Sequence, residues 1–393
     1  MAADDDDEEE EVVPRPRRRR RILAVAGGLL VLAALVVAVA GWVLSGFLID
    51  PHHDLQETDV QVAFVADGHV VMERTEASDH DGTYGLTWKG GHAVVGPISA
   101  RTADTITRPL RDVRGTLRAG TDVALDPDVW EGDPATALGV PFRDVPVPDP
   151  LGPMPAWQVA PGDDPARPRG ATWAIFVHGI DGARIAGLRA LPTLRRAGLP
   201  SLLVSYRNDV GAPASPDGKI HLGMTEWQDL EAAARYAVRH GARRLILYGQ
   251  SMGGTIVTRF MHRSPLASRV AGIVLDAPVL DWESVIGRQA RRFHVPFMAG
   301  LVEATIGLRI DVDWAALDEL DQAGTFHVPI LILQGLDDPL VPPADGRAFA
   351  AAVPDGLATF VGFPRAGHIQ SWNADPARYD RTLAAFLRRV SGG

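Results

Sequence analysis

The sequence predicts an α/β protein: a mostly parallel, doubly wound sheet, preceded by a small β-rich region and an N-terminal transmembrane helix. Three observations carry that prediction. An arginine cluster is followed by 28 residues without a charge, Ile22 to Ile49. Residues 51 to about 140 are rich in short alternating runs and turn residues. From about 141 onward, wholly apolar strand-like runs alternate with helix-like periodicity, the pattern of a parallel sheet covered on both faces.

The N-terminal stretch opens with an acidic run, Asp4 to Glu11, read as a solvated tail. Arg15 and Arg17 to Arg21 follow. A helix rises about 1.5 Å per residue, so roughly 20 residues cross the hydrocarbon core. The uncharged run is long enough to do so with some tilt. Trp42 suits the far interface, and the arginines mark the cytoplasmic side. The expected topology is single-pass in the cell membrane, with the N-terminus cytoplasmic and everything after Asp50 outside. Ala38-Val39-Ala40 resembles a signal-peptidase site and keeps cleavage open as an alternative. The apolar run exceeds a usual signal core, which favours an uncleaved anchor.

Composition narrows the chemistry. Of the 393 residues, 46% are hydrophobic and 22% charged, ordinary globular values that allow a sizeable core. A net charge of −10 argues against a nucleic-acid partner. There is no cysteine, which excludes disulfide frameworks, thiolate zinc sites and cysteine nucleophiles. No zinc-protease motif, phosphate loop or dinucleotide fingerprint occurs, so no cofactor and no metal are expected.

In the β-rich region, "VQVAFVADGHVVMER" reads as two strands around Asp67-Gly68. "GTYGLTWKGGHAVVG" repeats the pattern, with Gly90-Gly91 at the turn. His52-His53 lacks further ligands nearby and reads as solvent-exposed. No catalytic constellation is visible here, and the region reads as a small β module or spacer.

Beyond it, "FRDVPVPDPLGPMPAWQV" has the form of a hairpin. "TWAIFVHG", "PSLLVSY", "RRLILYG", "VAGIVLDAP", "VPILILQG" and "ATFVGFP" are strands. "EWQDLEAAARYAVRHGA" is a helix with Leu230, Ala234, Ala237 and Val238 on one face and Gly241 as its stop. "GTIVTRFMHRS" and "ARYDRTLAAFLRRV" are further helices. Ligands of such sheets bind beyond the carboxyl ends of the strands. Those ends carry "VHGID", "YGQSMGG", "LDAPVLD", "QGLDDPLVP" and "RAGHIQSW". They contain Ser251, Asp276, Asp337, Asp338 and His368.

This combination resembles the α/β-hydrolase family of serine hydrolases over residues 141 to 390, including its esterase, lipase and prolyl-oligopeptidase branches. Gly249-Gln250-Ser251-Met252-Gly253 is similar to that family's G-x-S-x-G nucleophile elbow. Glycine is common in this chain, so the spacing alone is weak. The strand before it and the helix after it give it weight.

The resemblance implies the order nucleophile, acid, base. Ser251 is then the nucleophile, His368 the base and Asp338 the orienting acid. Asp337 and Asp276 are the alternative acids. Gln334 stands where relatives often have histidine. The implied oxyanion donors are the backbone N–H groups of Met252 and Ile180. His178 is read as structuring its loop, and Asp181 occupies a position where many relatives carry glycine. Residues 282 to 326 interrupt the alternation with short helices, and the resemblance makes them a cap. Arg288, Arg291 and Arg292 in it read as a solvated face, with an anionic substrate group as the alternative.

The expected organisation is a charged cytoplasmic tail at 1–21, a transmembrane helix at 22–49, a β-rich juxtamembrane region at 50–140 and a catalytic domain at 141–393. The expected function is extracytoplasmic cleavage of an acyl bond, in a carboxylic ester of a small molecule or lipid. Peptide or amide cleavage and a non-catalytic surface role are the alternatives.

Overall fold

The computed structural model describes residues 16–53, 58–162, 171–354 and 356–391. The acidic run at 4–11 and Arg15 lie outside the described residues. A single helix, α1 (Pro16–Ile49), takes in Arg17 to Arg21 as well as the apolar run. The helix thus starts upstream of the apolar run expected to cross the membrane, and arginine is a good helix former. Its stretch Leu23–Ile49, 27 residues of mean hydropathy 2.8, is long and apolar enough to cross a membrane.

Of the two readings of the β-rich region, the β module is what is seen, closed into a barrel. Its strands are β1 (Val60–Ala66), β2 (His69–Glu73), β3 (Tyr84–Trp88), β4 (Gly91–Val95), β5 (Ala100–Arg101), β6 (Thr105–Arg114) and β7 (Asp122–Asp126). They form a sheet in the order β2-β1-β7-β3-β4-β6-β5, and β2 also pairs with β6. That pairing closes every strand except β5 into a ring, which removes the sheet edges. Asp67 and Gly68 turn the first hairpin with φ of 50° and 71°, the primed geometry expected there. The second turn is Lys89-Gly90, one residue earlier than expected. Gly91 already pairs with Trp88, and a side chain on Gly91 would meet the Trp88 ring at 2.2 Å. Val62, Val70, Met72, Leu86, Val95 and Ile106 fill the interior.

A short helix, α2 (Pro134–Leu138), leads to the second sheet. This sheet comprises β8 (Phe142–Val147), β9 (Met154–Val159), β10 (Thr172–Val177), β11 (Ser201–Val204), β12 (Arg244–Gln250), β13 (Val270–Asp276), β14 (Ile330–Gly335) and β15 (Ala358–Phe363). The order is β15-β14-β13-β12-β10-β11-β9-β8. β8 and β9 form the antiparallel hairpin at one edge, and β10 to β15 run parallel.

The helices are α3 (Leu191–Arg196), α4 (Trp227–Arg239), α5 (Met252–Arg263), α6 (Trp282–Arg292), α7 (Ala299–Arg309), α8 (Glu319–Gln322), α9 (Pro343–Ala352), α10 (Ser371–Ala374) and α11 (Pro376–Val390). Strand residues alternate between two cores. Ile175, Val177 and Leu247 pack with Leu230 of α4, Ile256 of α5 and Phe349 of α9. Ala174, Phe176 and Tyr248 pack with Leu191 of α3 and Leu383 of α11. Burial on both faces is why these strands are apolar throughout. Helices α6 to α8 fill the interval between β13 and β14.

α1 does not leave the fold as a free tether. Ile49 is fully buried, and its carbonyl accepts from Ile220 N–H. Arg309 of α7 donates to the Trp42 carbonyl, the Ser45 hydroxyl and both carboxylate oxygens of Asp50, at 2.8–3.0 Å. Lys219 pairs with the same carboxylate.

Candidate active site

Ser251 sits between β12 and α5 with φ 52° and ψ −120°, a region costly for any residue with a side chain. Its backbone is fixed on each side. Ser251 N–H donates to the Asp276 carbonyl at 2.9 Å, and its carbonyl accepts from Gly254 and Val279. The turn is tight enough to exclude side chains at its flanks. A Cβ on Gly249 would lie 2.2 Å from the Gly253 carbonyl oxygen, and one on Gly253 2.3 Å from that of Val177. The two glycines of the sequence motif are therefore demanded by backbone approach.

The strand ends bring the other expected residues to this serine. His368 Nε2 lies 2.9 Å from Ser251 Oγ, and His368 Nδ1 lies 2.9 Å from Asp338 Oδ2. A carboxylate only accepts, so Nδ1 carries the proton. Nε2 is then left to accept from the serine hydroxyl. Asp338 is fully buried. Its Oδ1 accepts from Leu340 and Val341 N–H at 2.8 and 2.9 Å. Its Oδ2 also accepts from Gln334 Nε2 at 3.0 Å.

Of the alternative acids, Asp337 is exposed to solvent. Asp276 is fully buried, but its Oδ2 accepts from the hydroxyls of Tyr248 and Tyr379, not from His368. Burial pushes the Asp276 carboxyl up to about 7, against the opposing pull of Arg189 and His368.

The two expected N–H donors belong to Met252, next to Ser251 in sequence, and to Ile180, next to the Gly179 that touches Ser251. Among the described residues neither donates to a protein acceptor. Met252 is the first residue of α5, where N–H groups have no intrahelical partner. Ile180 is aimed by its neighbour. The Gly179 carbonyl accepts from Tyr206 hydroxyl at 2.7 Å and from His178 Nδ1 at 2.8 Å. In a trans peptide the following N–H points the opposite way. Gly179 itself lies against the serine: a Cβ on it would be 3.3 Å from Ser251 Oγ.

His178 also gives Nε2 to Asp209 Oδ2 at 2.8 Å. Both ring nitrogens thus face acceptors, which favours the imidazolium. Burial alone would push its pKa down. The Asp209 carboxylate and the Gly179 carbonyl outweigh that, and the net shift is upward. Asp181 has φ 52°, in the left-handed region that favours glycine, and its Oδ1 accepts from His52 N–H at 2.8 Å. His52 is accordingly half-buried against the loop, not free in solvent as expected.

Some positioning groups escaped the sequence reading. Arg189, 2% exposed, donates to the Ile369 carbonyl and to Asp128, both at 2.6 Å. Asn373 Nδ2 donates to the carbonyls of Thr83 and Pro127. Tyr84 hydroxyl donates to Gln370. The barrel thereby clamps the segment that follows His368. Arg288 of α6 is not a free solvated arginine, because it donates to the carbonyls of Asp338 and Pro339. Only a general signal, polar residues set in an apolar or loop context, pointed to any of these.

Comparison with known proteins follows the same division of the chain. Residues 61–126, the barrel, match a family described as a domain of unknown function, DUF8805. Residues 214–393 match the prolyl oligopeptidase family. The α/β-hydrolase domain-containing protein WAV2 of Arabidopsis thaliana is 26% identical over 153 residues, 38% of this chain and 48% of that protein. The chain thus spans about half the length of this curated relative. The esterase Pf2001 of Pyrococcus furiosus superposes in two crystal forms with TM-scores of 0.52 and 0.53, at 17% and 18% identity. The match covers 67% of this chain and 97% and 96% of those chains, a likeness of fold.

Proposed function

We propose that this chain, which has the fold of the α/β-hydrolases and matches the prolyl oligopeptidase family over residues 214–393, is a membrane-anchored, extracytoplasmic serine hydrolase that cleaves carboxylic esters through Ser251, His368 and Asp338. The single observation that carries this reading is the relay of two 2.9 Å contacts from Ser251 through His368 to Asp338. It rests on a serine held in a strained turn.

In the proposed reaction Ser251 Oγ attacks the acyl carbonyl as His368 Nε2 takes its proton. Asp338 holds the tautomer and stabilises the imidazolium. The oxyanion forms between the N–H groups of Met252 and Ile180, each worth about 3 kcal/mol of barrier. His368 returns the proton to the departing alcohol, and the acyl-serine remains. Water, deprotonated by the same histidine, then releases the acid. α1 supplies the anchor, with the arginine cluster on the cytoplasmic side, and helices α6 to α8 act as the cap.

Peptide cleavage is the second reading, and the observation in its favour is the prolyl oligopeptidase match over 214–393. Fold and triad serve both reactions. Nitrophenyl esters of increasing acyl length, run beside aminoacyl anilides, decide between them. Ester turnover with inert anilides is the expected result. Efficient anilide cleavage would replace the ester reading.

A further inference from the structure

The surface of α7 continues the apolar surface of α1. Gly41 of α1 lies against Leu301 and Thr305, where a Cβ would come within 3.0 Å of either side chain. Arg309 lies beside Trp42, Ser45 and Asp50. The two helices therefore run side by side in the same direction, and the N-terminal end of α7 points back along α1 toward the apolar run. Val302 and Ile306 of α7 face the core. The residues it leaves exposed are Gly300, Ala304, Gly307 and Leu308. Spaced by three and four, they form one stripe without a charged or polar side chain. The stripe adjoins the Leu301 and Thr305 edge that touches α1. Leu308 is 88% exposed.

The approach to α7 is equally unusual. Phe293 and Phe297 are 70% and 75% exposed, next to exposed Arg291 and Arg292. Arg292 reaches Glu76 at 3.3 Å. Isolated exposed apolar residues are normal, but a stripe flanked by aromatics and arginines fits a lipid–water boundary.

We propose that the α6–α7 corner and the outer stripe of α7 are seated in the same bilayer leaflet that α1 leaves, making the cap a second membrane contact. The occupant is set by continuity: the exposed stripe borders the helix that crosses the bilayer, and the Arg309–Asp50 latch holds the two together. α6 also grips the acid loop, with Arg288 and Gln289 donating to the carbonyls of Asp338 and Pro339. The docked corner therefore adjoins the catalytic residues, and membrane-dissolved esters would meet the site at the lipid surface.

This inference rests on reading α1 as a membrane span, and the test separates the two. The chain has no cysteine, so single probes can be placed in the full-length protein. Val36→Cys, Ala304→Cys, Phe297→Cys and Phe64→Cys are each labelled with an environment-sensitive fluorophore. They are then reconstituted into vesicles of phosphatidylcholine and phosphatidylglycerol with and without brominated acyl chains. Phe64 is an exposed barrel residue and serves as the aqueous reference. The expected result is strong quenching at position 36, clear quenching and a blue shift at 297 and 304, and none at 64. Quenching at 36 with 297 and 304 behaving like 64 would overturn the cap contact alone. Loss of quenching at 36 as well would overturn the anchor and this inference with it.

Discussion

Replacing Asp338 by asparagine swaps one carboxylate oxygen for an N–H₂ and leaves size unchanged. The surroundings decide which oxygen is lost. Oδ1 receives two backbone N–H groups, from Leu340 and Val341. An amide nitrogen there would orphan the buried Val341 N–H, at about 1–3 kcal/mol, and the part-buried Leu340 N–H as well. The amide nitrogen is therefore forced into the Oδ2 position, opposite His368 Nδ1 and Gln334. Gln334 accommodates it by turning, because its Oε1 has no partner at present. The new N–H then donates to Nδ1, and the ring must carry its proton on Nε2, facing Ser251. A histidine in that tautomer cannot take the serine proton. Loss of a correctly held tautomer costs about 10⁴ in kcat, roughly 5 kcal/mol. The assay is nitrophenyl acetate hydrolysis by detergent-solubilised Asp338→Asn and Asp337→Asn variants, with thermal melts of both. The expected outcome is a loss near 10⁴ for the first and little change for the second, with both folded. A folded Asp338→Asn protein within about tenfold of wild type would refute the reasoning, as would an Asp337→Asn variant that is equally damaged.

Two further changes probe the surroundings of the proposed triad. Gly253→Ala places a methyl 2.3 Å from the Val177 carbonyl oxygen, so the strand and helix must part; melting should show destabilisation of about 1–3 kcal/mol or more, together with loss of activity. Asp276→Asn should keep activity within a few-fold but alter the pH dependence of stability. The folded-state carboxyl is raised to about 7 from 3.8, so its contribution to stability is fully present below about pH 4 and is lost as pH rises through about 7, a difference on the order of 4 kcal/mol. The asparagine has no such titration. The melting temperature of the variant relative to wild type should therefore be higher at pH 8 than at pH 5, and an unchanged difference would contradict the buried, protonated carboxyl.

The parts of this chain that are readable in its sequence are those with local causes. The elbow needs a strand, two small residues and a helix within a dozen positions, and Gly249 and Gly253 announce it. The parallel strands declare themselves because burial on both faces leaves no charged position and few polar ones, as in "TWAIFV". The barrel does not declare itself, since its closure depends on β1 meeting β7 and β2 meeting β6, pairs that no local signal specifies. The same holds for the supports of the site. Tyr206 and Asp209 act on the loop at 178–181 only once β10 and β11 are aligned. Arg189 reaches across to Ile369 and Asp128 from a segment that carries no motif. The helix start at Pro16 is not legible in the apolar run, because a charge boundary marks where a membrane-length stretch begins and not where a helix does.

The central claim is that Ser251 is an activated nucleophile. A fluorophosphonate probe applied to the intact protein, followed by peptide mass analysis, tests it directly. The account predicts a covalent adduct on Ser251 that disappears in Ser251→Ala. An unlabelled wild-type protein beside a labelled control hydrolase, or a label that survives Ser251→Ala, would contradict it.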